Sequence, residues 1–199
     1  ERGIIYVGSR RRAEQLAARL HVAFLEDEGV RVEAKHYHAG LEEGDREEVE
    51  LRWRNQNIDV LVATIAWGMG MDDAHVRFVA HDTPASSLMA LYQEASRAGR
   101  DGCPAHHLLL FSFNAWVDGL ERSCGDLGGG DDARAYAVGR HLDLLEWYVD
   151  TTSCRHAQFE AFVGDPCCSV APCAVAESEE ARLMCDNCAR RQEQGAPPP

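Results

Sequence analysis

The chain has 199 residues, 45% of them hydrophobic, enough for one sizeable core and a smaller appendage. Its formal net charge is −13, whereas nucleic-acid-binding domains are more often basic, so any contact with nucleic acid must come from local positive charge. No apolar stretch approaches the length of a membrane span, and the N-terminus does not read as a signal peptide.

Arginine supplies nearly all the positive charge, with Lys35 the sole lysine, and it clusters at Arg10-Arg11-Arg12, Arg52 and Arg54. The acidic surplus comes largely from Glu42 to Glu50 and from the C-terminal third. The chain begins at Glu1 without an initiator Met and so reads as an excerpt of a longer protein. Eight cysteines in a chain without a secretory signal argue for metal binding or free thiols over disulfides.

Gly3-Ile4-Ile5-Tyr6-Val7 reads as a buried strand, and Gly8-Ser9 turns it into a helix with Ser9 as N-cap. Ala13, Leu16, Ala17 and Leu20 recur at helical spacing and are expected to face a sheet. Val30 to His36 reads as a second strand, followed by Tyr37-His38-Ala39-Gly40-Leu41 and a charged helix from Glu43 to about Asn55, with Leu51 and Trp53 as its apolar contacts. Val60-Leu61-Val62-Ala63 is too short for a helix and suits a strand buried on both faces. Thr64 and the glycine turn Gly68-Met69-Gly70 follow it, and Val76 to His81 is the next strand.

Pro84 and Ser86 open a further helix, with Ser86 as its N-cap, that carries Tyr92, Gln93 and Glu94 toward Arg97-Ala98-Gly99-Arg100-Asp101-Gly102. The two arginines fall on one helical face or on the turn just beyond it. Gly99 and Gly102 let the backbone pass close to a ligand, and planar guanidinium groups beside such a turn suit bidentate phosphate contact. His107 to Phe111 reads as the last strand and Asn114 to Leu120 as helix. Ser123 to Asp132 is glycine- and acid-rich and reads as a loop; a helix from about Arg134 to Val149 follows, with Leu142, Leu145 and Trp147 packing in a second domain. Strands alternating with helices predict a parallel sheet covered on both faces, an α/β architecture whose ligands gather beyond the carboxyl ends of the strands. Both the glycine turn and the Arg97–Gly102 segment are expected in that position.

The C-terminal third carries Cys154-Arg155-His156, then Cys167, Cys168 and Cys173, then Cys185-Asp186-Asn187-Cys188. A C-x-x-C pair lets two thiolates bind one ion from a tight turn, and with Cys154 and the cysteines between it predicts a tetrahedral zinc site. The redox-dithiol alternative wants a thioredoxin-like context that is absent from this segment. Cys103 and Cys124 are expected to be free thiols. The tail from Gln194 to Pro199 reads as a linker or disordered end.

Two stretches resemble one known family. Ala63-Thr64 through Asp72, followed by Gln93-Glu94-x-x-Arg97-Ala98-Gly99-Arg100-Asp101-Gly102, is similar to motifs V and VI of RecQ-type DNA helicases of superfamily 2. His38-Ala39-Gly40-Leu41 with Arg46 resembles the pattern upstream of motif V, and the Gly8-Ser9 strand–helix junction corresponds to motif IV, where a serine and an arginine lie near nucleotide or DNA. Helix capping with solvated side chains is an equally good reading of Arg10 to Arg12. Cys154-Arg155-His156, Phe162-Val163-Gly164-Asp165 and Cys185 to Cys188 resemble the zinc subdomain that follows the second motor lobe. There four cysteines hold one structural zinc.

The resemblance implies a RecA-like second motor lobe over residues 1–117, a mainly helical zinc subdomain over 118–192 and a disordered tail over 193–199. It implies an ATP-dependent 3′–5′ DNA helicase of recombination and repair, located in the nucleus if eukaryotic and otherwise in the cytoplasm, with no membrane partner. ATP and Mg2+ would be shared with an upstream RecA-like lobe. Arg97 and Arg100 would be catalytic, Gln93, Gly70 and Asp72 would bind nucleotide, and Ser9, Arg10 and Thr64 would bind DNA. Cys154, Cys173, Cys185 and Cys188 would hold the zinc, with Cys168 and then Cys167 as alternatives to Cys173. The chain departs from the family by Ser96, which stands where a glycine is usual and is small enough for the geometry to survive, and by an acidic insert from Ala174 to Met184. It contains neither a G-x-x-x-x-G-K-[ST] phosphate loop nor a DExH run, and so is expected to hold half of an ATPase. The alternative function is a non-enzymatic DNA- or protein-binding module derived from a helicase.

Overall fold

The computed structural model describes residues 1–27, 31–67, 73–126, 130–149, 152–164 and 185–194. The chain packs as two compact units, Glu1–Ala85 with Gln93–Gly119, and Ser86–Tyr92 with Leu120–Pro199.

The first unit is built on five parallel strands: β1 (Arg2–Tyr6), β2 (Ala34–Tyr37), β3 (Val60–Ala63), β4 (Val76–His81) and β5 (His106–Leu109), in the order β2-β3-β1-β4-β5. Alternate residues of the central strands feed two cores. Ile4, Tyr6, Leu61 and Ala63 join Tyr37, Trp53, Ile58, Trp67, Val76 and Val79 on one face. Val7, Val60 and Val62 join Ala13, Ala17 and Ala34 on the other. This two-sided burial explains why Val60 to Ala63 is apolar without alternation. Phe78 lies over Gly3, where a Cβ would stand 2.2 Å from its ring, so glycine at that position admits the aromatic.

The helix α1 (Arg10–Asp27) lays Ala13 and Ala17 on the sheet, and the Ser9 hydroxyl caps it by accepting the Arg12 amide at 3.2 Å. The helix α2 (Glu43–Arg54) docks through a single buried residue, Trp53, and through the Tyr37 hydroxyl, which donates to Glu50 at 2.8 Å. Leu51, expected to share that contact, is 57% exposed, because Val49 and Trp53 occupy the inward positions of this strongly charged helix. The helix α3 (Leu88–Ala95) is capped by Ser87 rather than Ser86: the Ser87 Oγ accepts the Ala90 amide at 3.0 Å, and Ser87 is buried where Ser86 is not.

The second unit is helical. The helix α4 (Phe113–Asp126), whose first half belongs to the first unit, and α5 (Asp131–Leu144) close most of the stretch expected to be a loop, and α5 runs on into a π-helical turn over Leu145–Val149. The buried stripe is Ala137, His141, Leu144 and Tyr148, whereas Leu142 is 46% exposed. The stripe follows the helical period from a residue that composition did not favour, a histidine. Among the described residues the last two helices are α6 (Arg155–Val163) and α7 (Asp186–Glu193). Glu193, the first residue of the expected tail, is thus helical.

Candidate functional site

At the carboxyl edge of the sheet, β1 leads by way of α1 toward β2, while β4 leads by way of α3 toward β5 on the other side. Adjacent strands whose connections diverge leave a crevice beyond their ends. Arg12 bridges it, with Nε donating to Asp82 Oδ2 at 2.8 Å and Nη2 to Oδ1 at 2.6 Å, and this hydrogen bond raises the Arg12 pKa above its ordinary value. Ser9 and Arg10 follow β1 here, and Thr64 follows β3, its amide donating to Tyr37 O at 3.2 Å. Arg10 lies against Gly40, whose Cβ, if present, would stand 2.8 Å from the guanidinium. The structure therefore collects Ser9, Arg10 and Thr64 at the same sheet edge as the His38-Ala39-Gly40 loop. The Ser9 hydroxyl is engaged as helix cap, and Arg10 is exposed.

The arginine turn lies elsewhere than expected. The helix α3 has only eight residues, and the chain must return to the amino end of β5. The turn therefore runs back along the sheet, and the Gly99 amide donates to Val76 O, at the start of β4, at 3.1 Å. Gly99 and Gly102 adopt φ of +71° and +78°, the left-handed region that glycine enters without steric cost. Asp101 anchors the far end, with its Oδ2 accepting from Arg77 Nη2 at 2.6 Å and its Oδ1 from the Cys103 amide at 3.0 Å. The Arg77 hydrogen bond holds the Asp101 carboxyl below the usual carboxylate range.

Beneath the near end of the turn stands Tyr6. Its hydroxyl donates to Trp67 O at 3.2 Å, burial pushes its pKa well above the ordinary tyrosine value, and the positive charge of the nearby Arg97 works against that rise. Arg97 is half-buried, and its Nε has no hydrogen-bond partner among the described residues. Arg100 is exposed, with its Nε donating to Ser96 O at 3.3 Å, and Gln93 is exposed on the last turn of α3. Gln93, Arg97 and Arg100 thus share one short segment. Gly70 and Asp72, with the rest of the Gly68–Asp72 turn, lie outside the described residues. Sequence reasoning missed Tyr6, His81, Arg77 and Asp82 as supports; the available signal was a polar or charged group inside, or just after, an otherwise apolar strand.

In the second unit Cys154 precedes α6, Cys185 precedes α7, and Cys188 lies in the first turn of α7. Their sulfurs lie within 4.8 Å of one another, and Cys185 and Cys154 Sγ are 4.0 Å apart. A disulfide requires about 2.05 Å, whereas two sulfurs on a tetrahedral ion with bonds of about 2.3 Å stand roughly 3.8 Å apart. The donor set therefore fits a metal. The Arg155 amide donates to Cys185 Sγ at 3.4 Å, the kind of outer hydrogen bond that orients a ligating thiolate. The Arg155 guanidinium grips Asp186 through two bonds of 2.5 and 2.9 Å, and this pulls the Asp186 pKa down to about 2. Asn187 donates to Ser153 O at 2.9 Å. Burial, together with the neighbouring thiols, raises the Cys188 pKa. Cys167, Cys168 and Cys173 lie outside the described residues, so three of the four expected ligands are brought together here. Cys103 is exposed and Cys124 half-buried, and both are free thiols.

Residues 1–102 match the family model described as Helicase conserved C-terminal domain. The chain belongs to that family, in its RecQ-type branch. It is 38% identical to the ATP-dependent DNA helicase hus2/rqh1 of Schizosaccharomyces pombe over 167 residues, covering 83% of this chain and 12% of that protein. It is 38% identical to the ATP-dependent DNA helicase Q5 of Mus musculus over 174 residues, covering 84% of this chain and 17% of that protein. It therefore spans less than a fifth of the length of these two relatives. Among solved structures, the Mycobacterium smegmatis helicase Lhr, bound to single-stranded DNA and AMP-PNP, matches with a TM-score of 0.51 and 21% identity over 71% of this chain and 22% of that one. That likeness carries the fold, a RecA-like helicase lobe. No helix among the described residues is long and apolar enough to cross a membrane.

Proposed function

We propose that this RecQ-type lobe works as the second half of an ATP-dependent DNA helicase that moves 3′ to 5′ in recombination and repair, and in the nucleus if the source is eukaryotic. Residues 1–117 form the motor lobe and 118–192 the zinc subdomain, whose last helix runs one residue further to Glu193 before the tail. An upstream RecA-like lobe supplies the phosphate loop and the acid that holds Mg2+, and ATP sits between the two lobes. The observation that carries this reading is the arginine turn. The Arg97 guanidinium lies near Tyr6, yet its buried Nε is left without a partner among the described residues, a costly arrangement unless a ligand completes it. Arg100, exposed at the end of the same rigid segment, acts as the arginine finger on the γ-phosphate. Arg97 and Gln93 couple nucleotide to lobe closure. Gly70 and Asp72 contribute to the nucleotide site, and Ser9, Arg10 and Thr64 line the DNA path.

Zinc is held by Cys154, Cys185, Cys188 and Cys173. Four thiolates close the coordination shell and leave no position for a reacting water, so the ion supplies structure rather than chemistry. The test of the central role is Arg100→Ala in a chain carrying both lobes. Arginine fingers contribute roughly 10³ to 10⁵ in rate in phosphoryl-transfer enzymes. DNA-stimulated ATP hydrolysis should be abolished while ATP binding largely persists, and near-normal turnover sinks the assignment.

A further inference from the structure

His81 closes β4 inside the apolar core at 1% exposure, a position that a branched aliphatic would fill at lower cost. Both of its ring nitrogens are engaged. Nε2 lies 2.7 Å from Glu94 Oε2, and Nδ1 lies 3.0 Å from His107 Nε2. A carboxylate accepts, so Nε2 is placed to donate to Glu94, while Nδ1 is within hydrogen-bond distance of His107 Nε2. The geometry thus orders a relay from the edge strand β5, through β4, to the last turn of α3.

The relay ends at the arginine turn by two routes. Glu94, gripped by His81, accepts the Arg97 amide through its carbonyl at 3.3 Å. The His81 ring also stacks on Tyr6, with centroids 5.3 Å apart and planes 25° apart, and the Tyr6 hydroxyl is near enough to feel the Arg97 charge. One imidazole therefore touches two groups next to Arg97, one holding its backbone and one lying near its guanidinium.

We propose that His81 is a positioning residue for the Arg97–Arg100 turn, acting through Glu94 and Tyr6. The inference rests on the reading that this turn serves ATP hydrolysis. A buried polar group with both nitrogens satisfied fixes one arrangement of its neighbours, which a leucine cannot do. The contribution is made when the arginines meet the transition state, so it belongs in kcat rather than in nucleotide affinity.

The experiment measures DNA-stimulated ATP hydrolysis by a chain carrying both lobes, as wild type, His81→Leu, His81→Gln, Glu94→Leu and Arg100→Ala, with thermal unfolding of each. His81→Leu should lower kcat by about 10- to 100-fold, the scale of a small misplacement of a catalytic group, with KM for ATP held within about twofold. His81→Gln, whose amide keeps a donor for Glu94, should restore most of the loss. A folded His81→Leu with wild-type kcat, or a loss that His81→Gln does not restore, overturns the proposal. If His81→Leu does not fold, Glu94→Leu, which removes the acceptor, decides: a lowered kcat at unchanged KM supports the role, and a wild-type kcat overturns it. Arg100→Ala separates the two levels. If it also turns over normally, the reading of the turn has failed; if it is inactive while His81→Leu is normal, only the positioning role has failed.

Discussion

Gly99 and Gly102 share a backbone conformation but not an environment. At Gly99 a Cβ would meet the Cys103 carbonyl and the Ala105 methyl, both at 3.1 Å, in addition to the cost of its φ of +71°. At Gly102, with φ of +78°, a Cβ would meet nothing within 4 Å. A left-handed conformation costs an L-residue roughly 1–2 kcal/mol, and contact with backbone adds to it. Gly102→Ala should therefore lose about 1 kcal/mol and Gly99→Ala about 2–3 kcal/mol, measured as the shift in the urea midpoint. Equal losses at the two sites would mean that the Gly99 surroundings yield. At this scale the sequence displayed the arginines and glycines but not what holds them. Tyr6 and His81 stand in apolar runs, where nothing local separates a buried polar support from a surface position, because their partners Arg97 and Glu94 are brought in only by tertiary packing.

Strands β3 and β4 were legible to the residue, because short β-branched runs bounded by turn residues have no competing helical reading. Helix faces were less so. On α2 the charge density hides which apolar residue points inward: Leu51 and Trp53 are two apart and cannot share a face. Trp53, 1% exposed, packs against Trp67 with its ring centroid 5.9 Å away and carries the Arg2 guanidinium at 4.1 Å. Removing such a side chain leaves a cavity, and Trp53→Ala should cost about 3–5 kcal/mol in denaturant unfolding. Leu51→Ala should stay within about 0.5 kcal/mol. The reverse ranking would refute the packing of α2. The path of the arginine turn was likewise not legible, since the length of α3 decides at which end of the sheet the chain arrives.

On the scale of the whole molecule, the C-x-x-C spacing disclosed two thiolates, while the fold alone brings Cys154 beside them from 31 residues upstream of Cys185. Among the described residues around the thiol cluster few large apolar side chains are buried, so metal should supply much of the folding free energy of this region. Chelation should unfold this region and leave the parallel sheet intact, seen as loss of one thermal transition with the other retained. Cys154→Ser, Cys185→Ser and Cys188→Ser should each lose zinc by elemental analysis. Cys173→Ser should do so too, while Cys167→Ser keeps a full equivalent; retention by Cys173→Ser with loss by Cys168→Ser would name Cys168 as the fourth ligand.

The central claim is that this chain is one of two halves of an ATPase and supplies the arginines. It is tested most directly by steady-state ATP hydrolysis in the presence of single-stranded DNA, measured for the chain by itself and for the chain joined to a RecQ-type first lobe. The account predicts no turnover from the chain by itself and DNA-stimulated turnover once the phosphate-loop lobe is joined. Sustained hydrolysis by the pure chain that disappears in an Arg97→Ala/Arg100→Ala double variant would contradict it.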